Sequence, residues 1–173
     1  IAVVGTRSPL TEQEKIDAHK VLEDLIAKEY TIVSGLALGC DTLGHTYGLR
    51  TNTIAVLGTP LNKRYPKENK DLQDKIAQDH IVVSQYPIGI ENFLYYKTEQ
   101  PQNFSKRNQT TVALASQGVL VLKTGDKGGT QHAIKEARIQ NKKLYTMRCN
   151  FNPDNTWTNN FTWKQYGIVY EAE

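Results

Sequence analysis

Four glycine-containing segments, each directly after a short apolar run, are where this sequence can do chemistry. They read Gly5-Thr6-Arg7-Ser8, Ser34-Gly35-Leu36-Ala37-Leu38-Gly39-Cys40-Asp41, the stretch from Gly58 to Arg64, and Gly125-Asp126-Lys127-Gly128-Gly129-Thr130. Glycine lets backbone N–H groups approach an anion closely, and a helix starting just beyond adds a favourable dipole. One such segment alone is commonly only a tight turn. Four of them, accompanied by Arg7, Lys63, Arg64 and Lys127, predict a rim that binds phosphate. No GxGxxG follows the first run and no GxxxxGK[ST] occurs, which argues against a standard dinucleotide site and a P-loop ATPase.

A fifth segment, Asn103-Phe104-Ser105-Lys106-Arg107-Asn108, places an aromatic ring beside two cations at an expected helix start. Lys106 and Arg107 can hold phosphates while Phe104 offers a face to a base. The plainer alternative is a core phenylalanine with solvated charges around it. His45 follows Asp41 by about one helical turn, and such a pair can do acid–base work. No Ser or Cys nucleophile motif accompanies it, so a structural hydrogen bond is the expectation. His132 falls in the first turn of a later helix, near the glycines. Cys40 and Cys149 form no CxxC pair and no zinc-like cluster, and read as two ordinary buried thiols. No catalytic residue, metal or cofactor is expected.

These segments need elements to position them. Near-continuous apolar runs at residues 1–4, 30–33, 53–57, 81–84, 119–122 and 144–147 suit strands of a parallel sheet covered on both faces. Between them lie helical patterns. The clearest starts at a capping box, Thr11 with Glu14, after Pro9, and carries Ala18, Val21, Leu22, Leu25 and Ile26 on one face. Others are expected near Asp41 and over residues 69–78, 105–116 and 130–140. Strand–helix alternation implies right-handed βαβ units, hence an open, doubly wound, mostly parallel sheet in three α/β/α layers, Rossmann-like. In such sheets ligands bind beyond the carboxyl ends of the strands, which is where the four glycine segments fall. Residues 87–103 form a long polar and aromatic loop, and residues 150–160 an irregular stretch before a last apolar run at 167–170. Trp157 and Trp163 are expected to pack this C-terminal segment.

Composition bounds the reading. The chain has 173 residues, 39% of them hydrophobic, which fits one domain with a buried core over residues 1–173. A net charge of +3 permits an anionic partner without demanding one. No apolar run approaches the ~20 residues a membrane span needs. The chain opens directly on an apolar run without a basic n-region and cleavage site, so no secretory signal is expected and the location reads as cytoplasmic.

Taken in order, the segments resemble the DNA-processing protein A (DprA/Smf) family. Ala2-Val3-Val4-Gly5-Thr6-Arg7 is similar to its V-G-S/T-R opening, and Ser34 to Asp41 with His45 to S-G-L-A-R-G-I-D-x-x-A-H. Thr53 to Gly58 matches T-I-A-V-L-G, and Tyr65-Pro66 with Asn69 and Leu72 matches Y-P-x-x-N-x-x-L. Phe104 to Asn108 resembles F-P-x-R-N-R, and Gly128-Gly129-Thr130 with Ala133 and Ala137 resembles S-G-S-x-x-T-A-x-x-A. The resemblance implies a non-enzymatic binder of single-stranded DNA that assists a RecA-type recombinase in recombination and natural transformation (competence), usually as a homodimer. It implies Ser34 and Gly35 as phosphate contacts, Lys106 and Arg107 lining the pocket, and Phe104 as a stacking ring. With the rim residues, the expected site is Arg7, Ser34, Gly35, Lys63, Phe104, Lys106, Arg107, Asn108, Lys127, Gly128, Gly129 and Thr130. The chain departs from the pattern at Leu38 and Gln109, where the family carries arginines, and the flanking domains of many members are not seen in it, so a divergent or a stand-alone version is expected. The alternative comes from the wider superfamily: a nucleotide-sensing or nucleotide-binding protein, or a phosphoribohydrolase-type enzyme. The hydrolase loop P-G-G-x-G-T-x-x-E is echoed by Gly128-Gly129-Thr130, but His132 and Ala133 stand where its glutamate would fall.

Overall fold

The computed structural model describes residues 1–89 and 100–173. Six parallel strands follow the apolar runs: β1 (Ala2–Val4), β2 (Thr31–Ser34), β3 (Asn52–Leu57), β4 (Ile81–Ser84), β5 (Val119–Val121) and β6 (Leu144–Met147). Among the described residues five α-helices connect them: α1 (Glu12–Ala27), α2 (Cys40–Gly48), α3 (Lys70–Asp79), α4 (Gln100–Leu114) and α5 (Gly129–Ile139). The helix α1 starts at the expected capping box, with the Thr11 hydroxyl accepting from the Glu14 N–H and the Glu14 carboxylate accepting from the Thr11 N–H.

Strand parity assigns the layers. Val3, Ile32 and Leu120 point to one face and meet Ala18, Leu22, Leu25 and Ile26 of α1 and Cys40 of α2. On that same face Ala55 and Leu57 meet Ile76 of α3. Ala2, Val4, Val119 and Val121 point to the other face and meet Val112 of α4 and Ala133, Ile134 and Ala137 of α5. Helices on both faces of one open sheet are the expected three-layer, doubly wound architecture. An ion pair ties the α1 layer to the end of β6: the exposed Arg148 donates through Nε (2.7 Å) and an Nη (2.8 Å) to the buried Asp17 carboxylate.

Two features differ from the sequence expectation. Residues 163–172 form a hairpin, β7 (Trp163–Tyr166) and β8 (Val169–Ala172), that adds to β6 in antiparallel pairing. Among the described residues the sheet has eight strands in the order β4-β3-β2-β1-β5-β6-β8-β7, where about six were expected. The polar run Trp163-Lys164-Gln165-Tyr166 hid an edge strand, whose outer residues face water and need no apolar alternation. Helix α4 also starts at Gln100, five residues before the expected Ser105, with Pro101 tolerated in its first turn. Of the loop expected at 87–103, residues 90–99 lie outside the described residues. Trp157 and Trp163 pack edge to face within a cluster that includes Phe161 and Phe151, as expected of the C-terminal segment.

Candidate functional site

The strand order places a topological switch point between β1 and β5. The chain moves outward through β2 to β4 on one side and through β6 on the other, so the loops after β1 and β5 part and leave a crevice. A cleft of about 580 Å³ lies there, walled by residues of four chain segments: Gly5 to Arg7, Gly35 with Asp41, Phe104, Ser105, Arg107 and Asn108 on α4, and Thr124, Gly125 and Lys127 to Thr130. A second cleft of about 430 Å³ adjoins it and shares Arg7, Phe104 and Arg107 with it.

On the β5 side, the glycine-rich loop leads into α5. Gly128 has a φ of +111°, a conformation glycine adopts without strain, and no side chain caps the helix start. Asp126, the loop's one acid, turns away. Its carboxylate accepts from the Thr156 hydroxyl (2.7 Å) and from the N–H groups of Thr156 and Trp157 (both 2.8 Å), which hold it below the usual carboxylate range. Lys127 is exposed and lines the cleft, with His132 one turn along the helix. Asn108 ties α4 to this loop by donating to the Gly129 carbonyl (3.2 Å).

On the β1 and β2 side, Arg7 is exposed and belongs to both clefts. Ser34 is fully buried and its hydroxyl donates to the Val3 carbonyl (2.6 Å), so that hydroxyl is engaged inside the sheet. Gly35 forms the floor. A Cβ there would strike the Arg107 guanidinium and come to 2.6 Å from Asp41 Oδ2, so only glycine allows both groups to sit against the strand end. Arg107 is the main departure from the expectation of a solvated cation. It is 7% exposed, donates to the Val56 carbonyl (2.7 Å), and its Nε has no hydrogen-bond partner. Burial pulls its pKa down, opposed by the nearby Asp41. Asp41 is pushed up by burial and pulled back by Arg107, while it accepts from the Ala37 N–H (3.3 Å). The two are buried opposite charges that line the base of the cleft.

His45 lies below them, fully buried, between the Thr53 hydroxyl (2.7 Å from Nδ1) and the Gly35 carbonyl (2.5 Å from Nε2). Burial pulls it down to about 4, so it is neutral near pH 7 and holds the floor glycine in place. This is the structural hydrogen bond that the absence of a nucleophile motif implied. Cys40 and Cys149 are free thiols that burial pushes up to about 12 and about 11. Among the described residues no cluster of His, Cys, Asp and Glu is arranged to hold a metal ion, and no helix is long and apolar enough to cross a membrane.

Three other candidates fall differently. Lys106 is exposed but lines neither cleft. Lys63 also lines neither, whereas its neighbour Arg64 lines the second and is paired with Asp74 (2.5 Å). Phe104 lines both clefts, half-buried, with its ring stacked on that of Tyr65 (centroids 5.3 Å apart, 28° between planes) and the Arg107 guanidinium 5.6 Å from its centre. Gly58 leaves room for it, since a Cβ there would overlap the ring. Tyr65 was not among the expected site residues. Tyr65-Pro66 entered only as part of a family motif, and nothing local tells that a residue at position 65 covers one at 104.

Both the sequence and the fold have matches among known proteins. The family model described as DNA recombination-mediator protein A matches residues 1–170. The DNA processing protein DprA of Streptococcus pneumoniae is 39% identical over 151 residues, covering 85% of this chain and 49% of that protein. Protein Smf of Synechocystis is 36% identical over 149 residues, covering 85% of this chain and 35% of that one. The chain thus spans about half the length, or less, of these curated relatives. Among solved structures, the X-ray structure of the S. pneumoniae protein superposes with a TM-score of 0.71 at 35% identity, over 84% of this chain and 48% of that one. A structure of DNA processing protein A from Helicobacter pylori, described for its single-stranded DNA binding mode, superposes with a TM-score of 0.77 at 26% identity, over 92% of this chain and 69% of that one.

Proposed function

The chain belongs to the DNA recombination-mediator protein A (DprA/Smf) family, and from that membership we propose that it binds single-stranded DNA at the switch-point cleft, without chemical turnover, and assists a RecA-type recombinase in the cytoplasm. The observation that carries this reading is the cleft itself. Two exposed cations, Arg7 and Lys127, line it together with an uncapped helix start, and an aromatic pair stands at its junction with the second cleft. Backbone N–H groups and cations suit phosphates, and an aromatic face suits any base, which is the requirement for binding a strand without reading its sequence. The Arg107 Nε supports it further: a buried N–H without a partner costs about 1–3 kcal/mol, and an anion seated above the floor would add a favourable charge to it.

Within this reading Arg7 and Lys127 make the phosphate contacts, helped by the backbone of Gly35, Gly128, Gly129 and Thr130, while Arg107 charges the floor from beneath. Lys106 and Lys63 act at longer range. Ser34 holds the strand end instead of touching the ligand.

The test is a titration of fluorescent oligo-dT beside a panel of mononucleotides at 50 and 200 mM salt. If three or four phosphates are neutralised, a slope of about −0.7 per contact on single strands gives a loss of roughly 20- to 50-fold in oligo-dT affinity over that range. Arg7→Ala and Lys127→Ala should each flatten the slope by about 0.7 and leave the melting temperature nearly unchanged, because both side chains are exposed. Salt-independent binding contradicts the proposal. A second reading rests on the Gly128-Gly129-Thr130 loop at the start of α5, which also suits a small nucleotide. Tight mononucleotide binding with no gain for the oligomer would favour it. The homodimer implied by the family is expected in sedimentation at high protein concentration, and a monomer there removes it.

A further inference from the structure

Helix α5 presents one set of residues to the switch-point cleft and another to the surface beside it. Thr130, His132 and Ala133 line the cleft, whereas Gln131, Ile134, Lys135, Arg138 and Ile139 line a separate groove of about 520 Å³. Its other wall is the turn at Trp157–Asn160 together with Phe161. One loop joins the two sites. Gln131 Nε2 donates to the carbonyl of Gly125, which lines the cleft (2.6 Å), and the Trp157 N–H donates to Asp126, the neighbour of Lys127 (2.8 Å). No acidic residue lines the groove, and its two cations are exposed and in no ion pair. Elsewhere on the helices Lys15, Lys28 and Lys75 each pair with an acid one turn away. The Arg138 guanidinium lies 5.3 Å from the centre of the Phe161 ring, a contact that holds an exposed cation in place. Trp157 is buried, and its Nε1–H has no hydrogen-bond partner, which is rare for a buried donor.

We propose that this groove carries a continuation of the bound strand, which leaves the switch-point cleft past Lys127, crosses the first turn of α5 and runs along its outer face, with Lys135 and Arg138 holding phosphates. The inference rests on the single-strand reading above and adds to it a second binding stretch outside the cleft. Continuity selects this occupant, since the groove begins at Gln131, against the loop that carries Lys127. Charge selects it too, because two unpaired cations and no acid suit a polyanion. At 1.5 Å per residue Lys135 and Arg138 stand roughly 9 and 14 Å along the helix from Gly129, so they can meet different phosphates of one strand. Ile134 and Ile139, the latter 65% exposed, offer apolar surface to sugars and base faces. An acceptor oxygen of a base or phosphate is what the Trp157 N–H lacks.

The experiment compares a short oligo-dT of about 6 nucleotides, enough for one site, with a long one of about 20. The double variant Lys135→Ala, Arg138→Ala should bind the short strand as the unaltered chain does. It should bind the long strand more weakly at 100 mM salt, by roughly 5-fold for each contact and about 25-fold for both, from a slope of about 0.7 per phosphate over the decade to 1 M. Its salt slope on the long strand should fall by about 1.4 and on the short strand not at all. Lys135→Arg with Arg138→Lys keeps both charges and should restore binding of the long strand. A control of matched charge, Lys20→Ala with Lys70→Ala, removes exposed cations of α1 and α3 that line neither cleft nor groove, and should leave both strands unaffected. All four lysines and arginines replaced by alanine are exposed, so melting temperatures should hold. Equal weakening of the two strands, no weakening of either, or the same loss in the control overturns the extension while single-strand binding stands. Unchanged DNA binding with a lost affinity for a glutamate-rich peptide overturns it as well and gives the groove to an acidic protein partner. If the unaltered chain binds neither strand, the single-strand reading fails and takes the extension with it.

Discussion

Replacing Arg107 by alanine is expected to lower the melting temperature by about 6–20 °C. The side chain is buried, its Nη donates to the Val56 carbonyl, and it is the cation beside the buried Asp41 carboxylate. Removing one partner of a buried charge pair leaves the other charge uncompensated, at a cost of about 3–5 kcal/mol. For a domain of 150–250 residues each kcal/mol moves the midpoint by roughly 2–4 °C. The loss should depend on pH. Burial already raises Asp41, and without Arg107 it rises further, so Asp41 is protonated more readily in the variant than in the unaltered chain. A folded-state pKa above the unfolded value favours the folded form as pH falls, so the gap between Arg107→Ala and the unaltered chain should narrow toward acid. Asp41→Asn in the Arg107→Ala background should recover part of the loss at neutral pH. Thermal melts of the four proteins at two pH values check this. An unchanged midpoint with weakened DNA binding would show instead that Arg107 is a solvated phosphate contact.

The second large effect belongs to His45. Its pKa falls from an ordinary 6.5 to about 4 through burial, so the unfolded chain takes up a proton in a range where the folded chain does not. Stability rises with pH wherever the unfolded state binds more protons. The contribution is therefore complete above pH 6.5 and is lost as the pH drops toward 4. It amounts to about 2 kcal/mol between pH 7 and pH 5 and about 3 kcal/mol in all, from 1.36 kcal/mol per unit of pKa. Other groups titrate in the same interval, so the informative quantity is the difference in slope between the unaltered chain and His45→Gln. Urea unfolding at pH 7 and pH 5 measures it. His45→Gln should be less stable at pH 7, because it disturbs the links to Thr53 and Gly35, yet lose about 2 kcal/mol less on acidification. Equal losses in the two proteins would mean that His45 titrates normally in the fold.

Much of the architecture was legible because its causes are local. Short apolar runs formed the strands at residues 81–84 and 144–147 with the expected bounds, and the Thr11–Glu14 capping box started α1. The glycine segments mapped to the crevice because the βαβ rule places strand ends on one rim, and the order of those motifs carried the family. The tertiary structure decided what each polar side chain does there. Lys106 and Arg107 are adjacent in sequence, yet successive helical residues point about 100° apart, and the packing of α4 through Val112 turned Arg107 under the sheet end while Lys106 stayed in water. The loop after β3 put Arg64, not Lys63, into the second cleft. Tyr65 met Phe104 only because β3 and α4 lie side by side, a pairing across nearly forty residues that no periodicity records. Ser34 and His45 were drawn inward for the same reason: a buried polar group must find its partner wherever the fold supplies one, and that partner is remote in sequence.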